Sequence, residues 1–382
     1  MTWRCTGVRW DGDTGTPLLG WQDGGRTRQR VLRYGETLGF RVVGERRCPG
    51  VWRGGNQVPC AVGAVVGARA VSDRCEECAR LDRARSVAAD TYADDPRPYR
   101  VYLAWFGRGL VKVGITRADR GPARLLEQGA VAFVWLGTGP LMAARRAEEL
   151  LRAALGVPDR VPYDRKRAVR ADLPGPEVRA AELRALHGVA VALPGWPESL
   201  ERTPGGCAVV DHGEVFSTAG LPPATSVVTE LRDGGVVRGV LVAAAGPDLH
   251  LRVDGWADPS GSADAPGRPD ARGRPGASGR ADTPGMPDAP GGPDAPGRSG
   301  PASSGGGSGR GGPGPGGRRV VVLDGRLMSG WELVRDSGEM EYMGDAAADG
   351  AGHGGRRGRG DGGAGAVTVP VRDVSAVQGG LF

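Results

Sequence analysis

Four cysteines crowd one stretch of the chain: Cys48, Cys60, Cys75 and Cys78. Thiolate is a soft ligand, and zinc takes four such ligands in a tetrahedron, delivered as pairs or knuckles. Cys75-Glu-Glu-Cys78 is such a pair, at the start of a helical run whose first amides favour thiolate. Cys48 ends a strand-like run and precedes Pro-Gly, a turn able to direct its sulfur inward. Cys60 follows Val-Pro and lies downstream of Gly54-Gly55-Asn56. A site of four thiolates leaves no position for water, so its zinc would be structural. The competing chemistry is a redox-active Cys75/Cys78 couple, against which the two further thiols argue. Cys5 and Cys207 lie apart and could replace individual ligands.

A second set of residues stands out against the composition. Ala, Gly, Pro and Arg dominate the 382 residues, as a GC-rich genome dictates, so the net charge of +6 is only a weak pull toward phosphate. Lys112 and Lys166 are the only lysines, Ile115 the only isoleucine and Asn56 the only asparagine. Three of these fall between Tyr99 and Asp172, and Asn56 lies inside the cysteine cluster. Within a helical run, Leu141, Ala144, Leu151 and Leu155 share one face, and Glu148 falls on that face while Glu149 points aside. An inward carboxylate is costly unless a metal or a cation meets it. A divalent ion would make Glu148 a metal ligand; Arg124 or Lys112 would make it half of a structural ion pair. Lys112 alternates with Val111 and Val113, and Tyr102 with Val101 and Leu103, so the two side chains share one sheet face.

Other candidates read more plainly as structure. Tyr163, Asp164 and Lys166 read as a solvated loop, and His187 as a residue near a helix end. Cys207 with His212 could be a nucleophile and base, though a strand cysteine is usually core. Trp105 and Trp135 read as packing.

The elements that must position these groups follow from punctuation. Thr37 to Gly44 reads as a strand leading into Cys48, and Ala79 to about Ala89 as a helix. Strands are expected at 101–106, 110–115 and 131–136. Between them Pro122 opens a short helix that Gly129 stops, and Pro140 opens a longer one that Gly156 closes. Pro176 to Leu186 is a further helix, stopped by Gly188. The resulting order, β-β-α-β-α, is a compact α/β unit.

Boundaries are drawn at 1–98 for a β-rich N-terminal region holding the knuckle (48–78), 99–172 for the α/β module, and 173–254 for a helix and the start of a β-rich domain. That domain continues at 318–345 and ends in a strand at 366–382. The Gly/Pro-rich stretches 255–317 and 346–365 bury too little apolar surface to offset ordering entropy and are expected to be disordered insertions. Leu249, Leu251 and Val253, the run 320–323, and Val367, Val369 and Val371 supply strand patterns on their flanks.

The segment Arg100-Val-Tyr102, Lys112-Val-Gly114-Ile-Thr116, Arg124 and Glu148 resembles the GIY-YIG nuclease superfamily over about 99–156. The resemblance implies an α+β fold: a GIY-YIG-like β-β-α-β-α core, with the four-cysteine knuckle before it and the interrupted β-rich domain after it. It implies metal-assisted phosphodiester hydrolysis, in which Tyr102 helps activate water, Arg124 stabilises phosphate charge, and Glu148 holds Mg²⁺ or Mn²⁺. Gly114 matches the glycine of the second motif. Lys112 replaces that motif's tyrosine and would contact phosphate as a point charge. Gln128 stands where active members often carry histidine or tyrosine, which leaves open a module that binds without cutting. The chain as a whole, through its cysteine cluster, Lys-Val-Gly-Ile-Thr and β-rich tail, also resembles the family called domain of unknown function 2797.

The expected partner is nucleic acid, DNA or RNA, either processed or only bound. The alternative is a protein-interaction scaffold. No apolar run approaches membrane-spanning length, and the charged start of the chain lacks a signal core, so a cytoplasmic protein is expected.

Overall fold

The computed structural model describes residues 2–53, 56–70, 72–83, 95–253, 319–336 and 366–374. The expected insertions at 255–317 and 346–365 lie outside these residues. Among the described residues no helix is long and apolar enough to cross a membrane.

The chain opens with β1 (Arg4–Trp10), β2 (Pro17–Asp23), β3 (Arg26–Val31) and β4 (Thr37–Val43). The cysteine region follows: a hairpin of β5 (Val51–Arg53) and β6 (Asn56–Val58), then α1 (Glu76–Arg83). The α/β layer contains β7 (Tyr99–Gly107), β8 (Leu110–Arg117), α2 (Ala123–Gln128), β9 (Ala132–Gly139), α3 (Leu141–Leu155), α4 (Tyr163–Val169), α5 (Pro176–Ala192), β10 (Glu201–Arg202) and β11 (Val210–Asp211). The remaining elements are β12 (Ser226–Val228), β13 (Val236–Ala245), β14 (Asp248–Val253), β15 (Arg319–Asp324), α6 (Gly325–Met328), β16 (Glu332–Arg335), β17 (Ala366–Val367) and β18 (Val371–Asp373).

Two sheets organise these elements. The larger runs β18-β12-β15-β14-β13-β4-β16-β1-β2-β3, with β17 also on β13. It therefore joins the N-terminal strands to the C-terminal ones, where two separate regions were expected. β4 lies between β13 and β16, and β1 pairs with β16, so neither end of the chain closes the core alone. The outer strand β3 carries Arg26, Arg28 and Arg30, charges that discourage further pairing at that edge. β14 and β15 are antiparallel, with Val253 opposite Arg319. Residues on both faces of β14 are buried, so the alternating apolar pattern there marks a central strand, not a half-exposed one.

The smaller sheet runs β10-β9-β7-β8, with β11 also on β9. One face, through Val101, Leu103, Val113 and Val134, packs against Ala144, Ala147 and Leu151 of α3 and Leu183 of α5. The other carries Tyr102, Ala104, Phe106 and Phe133 and packs on Leu125 of α2. Pro122 and Gly129 bracket α2, and Gly129 closes it with φ 70°, a left-handed conformation that costs glycine little. Pro140 and Gly156 bracket α3 in the same way.

Three expectations change here. The sheet recruits α5, β10 and β11, so it reaches beyond the expected boundary at 172. α5 runs through Gly188 to Ala192, because burial of Ala190 outweighs the roughly 1 kcal/mol that a mid-helix glycine costs. His187 therefore lies inside the helix. The segment at Tyr163 is a helix and not a solvated loop, and its Lys166 is only 3 % exposed. Arg167 of α4 reaches the large sheet, donating to Asp248 at 2.9 Å and to Asp324 at 2.8 Å.

Candidate functional site

The four cysteines expected to act together do meet. Their sulfurs all lie within 4.8 Å of one another, and Cys60 Sγ is 3.9 Å from Cys75 Sγ. A tetrahedral zinc with bonds of about 2.3 Å spaces its sulfurs about 3.8 Å apart, so the cluster has the right size. The six cysteines are free thiols; Cys5 sits in β1 and Cys207 packs in the α/β core, apart from the cluster. The four could hold a metal ion such as zinc.

Local structure explains how distant cysteines converge. The Cys48 amide donates to Ala64 O at 2.8 Å, and the Gly50 amide donates to Cys48 Sγ at 3.4 Å. Gly50 has φ 87°, and a Cβ there would stand 2.0 Å from Val58 O; only glycine lets the Cys48 turn approach the Cys60 arm. Cys75 precedes α1 and Cys78 lies in its first turn. Burial works against ionisation of Cys60, but the amides of Ala64, Val62 and Gly63 outweigh it and bring the thiol to about 6. Burial, together with Cys75, Cys48 and Cys60, pushes the Cys78 thiol well up. Crowded sulfurs that oppose one another's ionisation are relieved by a divalent cation, which fits the donor set.

Arg46, which sequence reasoning missed, ties this region to the large sheet. Its buried guanidinium donates to the carbonyls of Ser329, Gly67, Ala68, Ala70 and Arg326 at 3.0–3.4 Å. A buried arginine without a buried carboxylate beside it in sequence gives no signal of this role.

Tyr102, Lys112, Arg124 and Glu148 also fall into one neighbourhood. Tyr102 and Lys112 share the sheet face expected of them, for Tyr102 lies opposite Gly114 and Ala104 opposite Lys112. The tyrosine ring lies across Gly114, where a Cβ would stand 2.4 Å from the hydroxyl. That hydroxyl is buried and accepts from Gln128 Nε2 at 2.8 Å. Lys112 Nζ donates to Asp159 O at 3.0 Å and sits 5.7 Å from the Tyr102 ring centre. Arg124 is half exposed and pairs loosely with Glu127 at 3.6 Å. Glu148 is half-buried on α3, while Glu149 is exposed and pairs with Arg152.

Electrostatics links the four. Burial first, then the charge of Arg124, brings the Lys112 ammonium down to about 8, against the pull of Glu148 and Asp159. Burial raises the Glu148 carboxyl, and Lys112 opposes that rise. Tyr102 is pushed up by burial and feels both Arg124 and Glu148. Asp159 and Trp135 escaped sequence reasoning as site residues. Trp135 packs edge-on to Tyr102 and lies 5.1 Å from the Arg100 guanidinium. In sequence it is one aromatic in an apolar strand, with nothing to set it apart from packing.

Behind this face, Lys166 Nζ donates to Gln128 O at 2.9 Å and lies 4.0 Å from the Phe106 ring centre. His212 Nδ1 lies 2.9 Å from Ala130 O and its ring packs on Phe133 and Phe216, while Cys207 joins another core. The two make a structural contribution each and no catalytic couple. Trp105 is fully buried and donates to Glu182 at 2.8 Å, as packing predicts.

Residues 35–255 match a family described as protein of unknown function (DUF2797). The match covers more than half of the chain and takes in both the cysteine cluster and the α/β sheet, so the chain belongs to that family. No curated protein and no solved structure matches it.

Proposed function

We propose that this is a zinc-stabilised nucleic-acid-binding protein, with Lys112 and Arg124 of the α/β module as its phosphate contacts. The observation that supports this reading is the proximity of Lys112, Arg124 and Tyr102 on one side of the sheet, with Glu148 of α3 within electrostatic reach of Lys112 and Tyr102. Lys112 supplies a point charge and Arg124 an exposed fork of donors, the two usual ways to hold phosphate. Tyr102 forms the floor of the site and holds Gln128 in place. Zinc on Cys48, Cys60, Cys75 and Cys78 is structural, since four thiolates complete its coordination.

One observation favours a second reading, metal-dependent phosphodiester cleavage. Glu148 is a half-buried carboxylate within electrostatic reach of Lys112; it would hold Mg²⁺ or Mn²⁺, which would supply Lewis-acid stabilisation of charge on the phosphate. Labelled single- and double-stranded DNA and RNA, incubated with and without divalent metal, test both readings. Lys112→Ala and Arg124→Ala are expected to weaken binding and each to lower the slope of log affinity against log salt by about 1. Glu148→Gln is expected to spare binding and to abolish any metal-dependent cleavage. No binding to any of the four substrates at low salt would sink the proposal in favour of a protein-interaction scaffold.

A further inference from the structure

The zinc hairpin carries an unusual pair. Trp52 on β5 is 38 % exposed, and the Arg9 guanidinium of β1 lies 3.7 Å from the centre of its ring. No hydrogen bond or ion pair to a described residue engages the part-buried Arg9 side chain, so the Trp52 ring is its close partner. A guanidinium held over an indole, with no carboxylate on its donors, offers cation–π contact and phosphate-binding donors together.

This pair does not stand alone. Arg9 is within electrostatic reach of Arg74 and Arg120, as well as of Glu127 and Asp73. Arg74, one residue before Cys75, is fixed by Gly50 O at 3.1 Å and Asp82 at 2.6 Å. Arg120 pairs with Glu127 at 2.6 Å, and that one carboxylate also serves Arg124. The turn after β1 abuts the start of α2, since a Cβ on Gly12 would lie 3.1 Å from that of Ala123. Arg124 in turn acts on Lys112. Cations thus succeed one another from the zinc hairpin, across β1 and α2, to the edge strand of the α/β sheet.

We infer that this line is a track for single-stranded nucleic acid, with the Arg9–Trp52 stack as a base platform at one end and Lys112 at the other. The inference rests on the reading of the α/β module as a nucleic-acid site and names its ligand class. Arginines would follow the phosphates of either a duplex or a single strand. An indole on a hairpin, however, can stack only on a base whose face is free, which a duplex withholds. The cysteine cluster then has a task beyond holding its own loops: it sets β5, and with it Trp52, against β1.

The test measures binding of the zinc-loaded full chain to a labelled unpaired oligonucleotide and to a duplex of equal length. Trp52→Ala and Arg9→Ala are expected to weaken single-strand binding about tenfold while leaving duplex binding within about twofold. Trp52→Phe should restore most of the loss. Zinc content and melting temperature of each variant show whether the hairpin is intact. Intact variants that bind the single strand as the parent does, while Lys112→Ala loses binding, would overturn the track and leave the module reading standing. A parent chain that binds neither substrate would remove both. Equal losses on single strand and duplex would make Arg9–Trp52 a plain phosphate contact and overturn the base platform.

Discussion

The cysteine cluster and the α/β site each gather four residues from separate elements, yet they leave very different needs unmet. In the cluster, the sulfurs face one another, and their main nearby partners are amides that favour thiolate. In the α/β site, the hydroxyl of Tyr102 already has Gln128, Lys112 has a backbone carbonyl, and Arg124 has Glu127. Convergence of soft, poorly hydrogen-bonding groups therefore names its ligand, whereas convergence of amines, guanidines and carboxylates can be self-sufficient. The first site asks for a metal ion, whereas the polar groups of the second already satisfy one another.

The strongest way to break this contrast is to remove a sulfur. Cys75→Ser is expected to lose the metal and to lower stability by several kcal/mol, on the order of what structural zinc sites contribute. Elemental analysis of serine variants at positions 48, 60, 75 and 78, with thermal melts, checks it. Metal content unchanged in all of them would contradict a four-cysteine site.

A smaller effect separates the metal from its support. Arg46→Met leaves five carbonyls without their buried donor, and should cost about 3–5 kcal/mol, with zinc still bound in the folded fraction. Denaturant unfolding measures the loss. A change under 1 kcal/mol, about the size of ordinary surface effects, would mean that water takes over from Arg46.

The smallest effect sharpens the polar side of the contrast, and its sign is opposite. Burial first, then Arg170, Lys112 and Arg124, brings the Lys166 ammonium down to about 7, with Asp248 pulling the other way. Its folded-state value lies below its unfolded one, so holding the charge costs stability in full below about pH 7. The cost fades as pH rises toward the ordinary lysine value, because the unfolded chain then holds the proton and the folded chain does not. Lys166→Met should thus stabilise by roughly 1–3 kcal/mol at pH 6 and progressively less up to pH 10. A gain independent of pH would point to packing and not to charge.

How much of this was written locally in the chain varies by element. Pro122, Gly129, Pro140 and Gly156 set the ends of α2 and α3 correctly, because helix termini depend on backbone preferences that the residues themselves carry. The shared face of Tyr102 and Lys112 followed from strand alternation. Cysteine chemistry marked the cluster, although only folding excludes Cys5 and Cys207 from it. Lys166 was misread because the acids that receive its helix, Asp248 and Asp324, lie far away in sequence. The union of β4 with β13 and β16 was invisible for the same reason: pairing partners separated by hundreds of residues leave no local trace. Gln128 was noticed only as a departure from an expected residue, and its hydrogen bond to Tyr102 gives that departure a role.

The register of β14 with β15 has an architectural consequence. Val253 and Arg319 are direct neighbours across the ladder, so whatever is encoded between them starts and finishes at one point of the sheet. Lengthening, shortening or replacing that stretch leaves the ends where the strands already hold them, and closure entropy changes only with the logarithm of length. The position acts as a port in the scaffold: its two ends are fixed by the ladder of β14 and β15, whatever the length of chain that joins them.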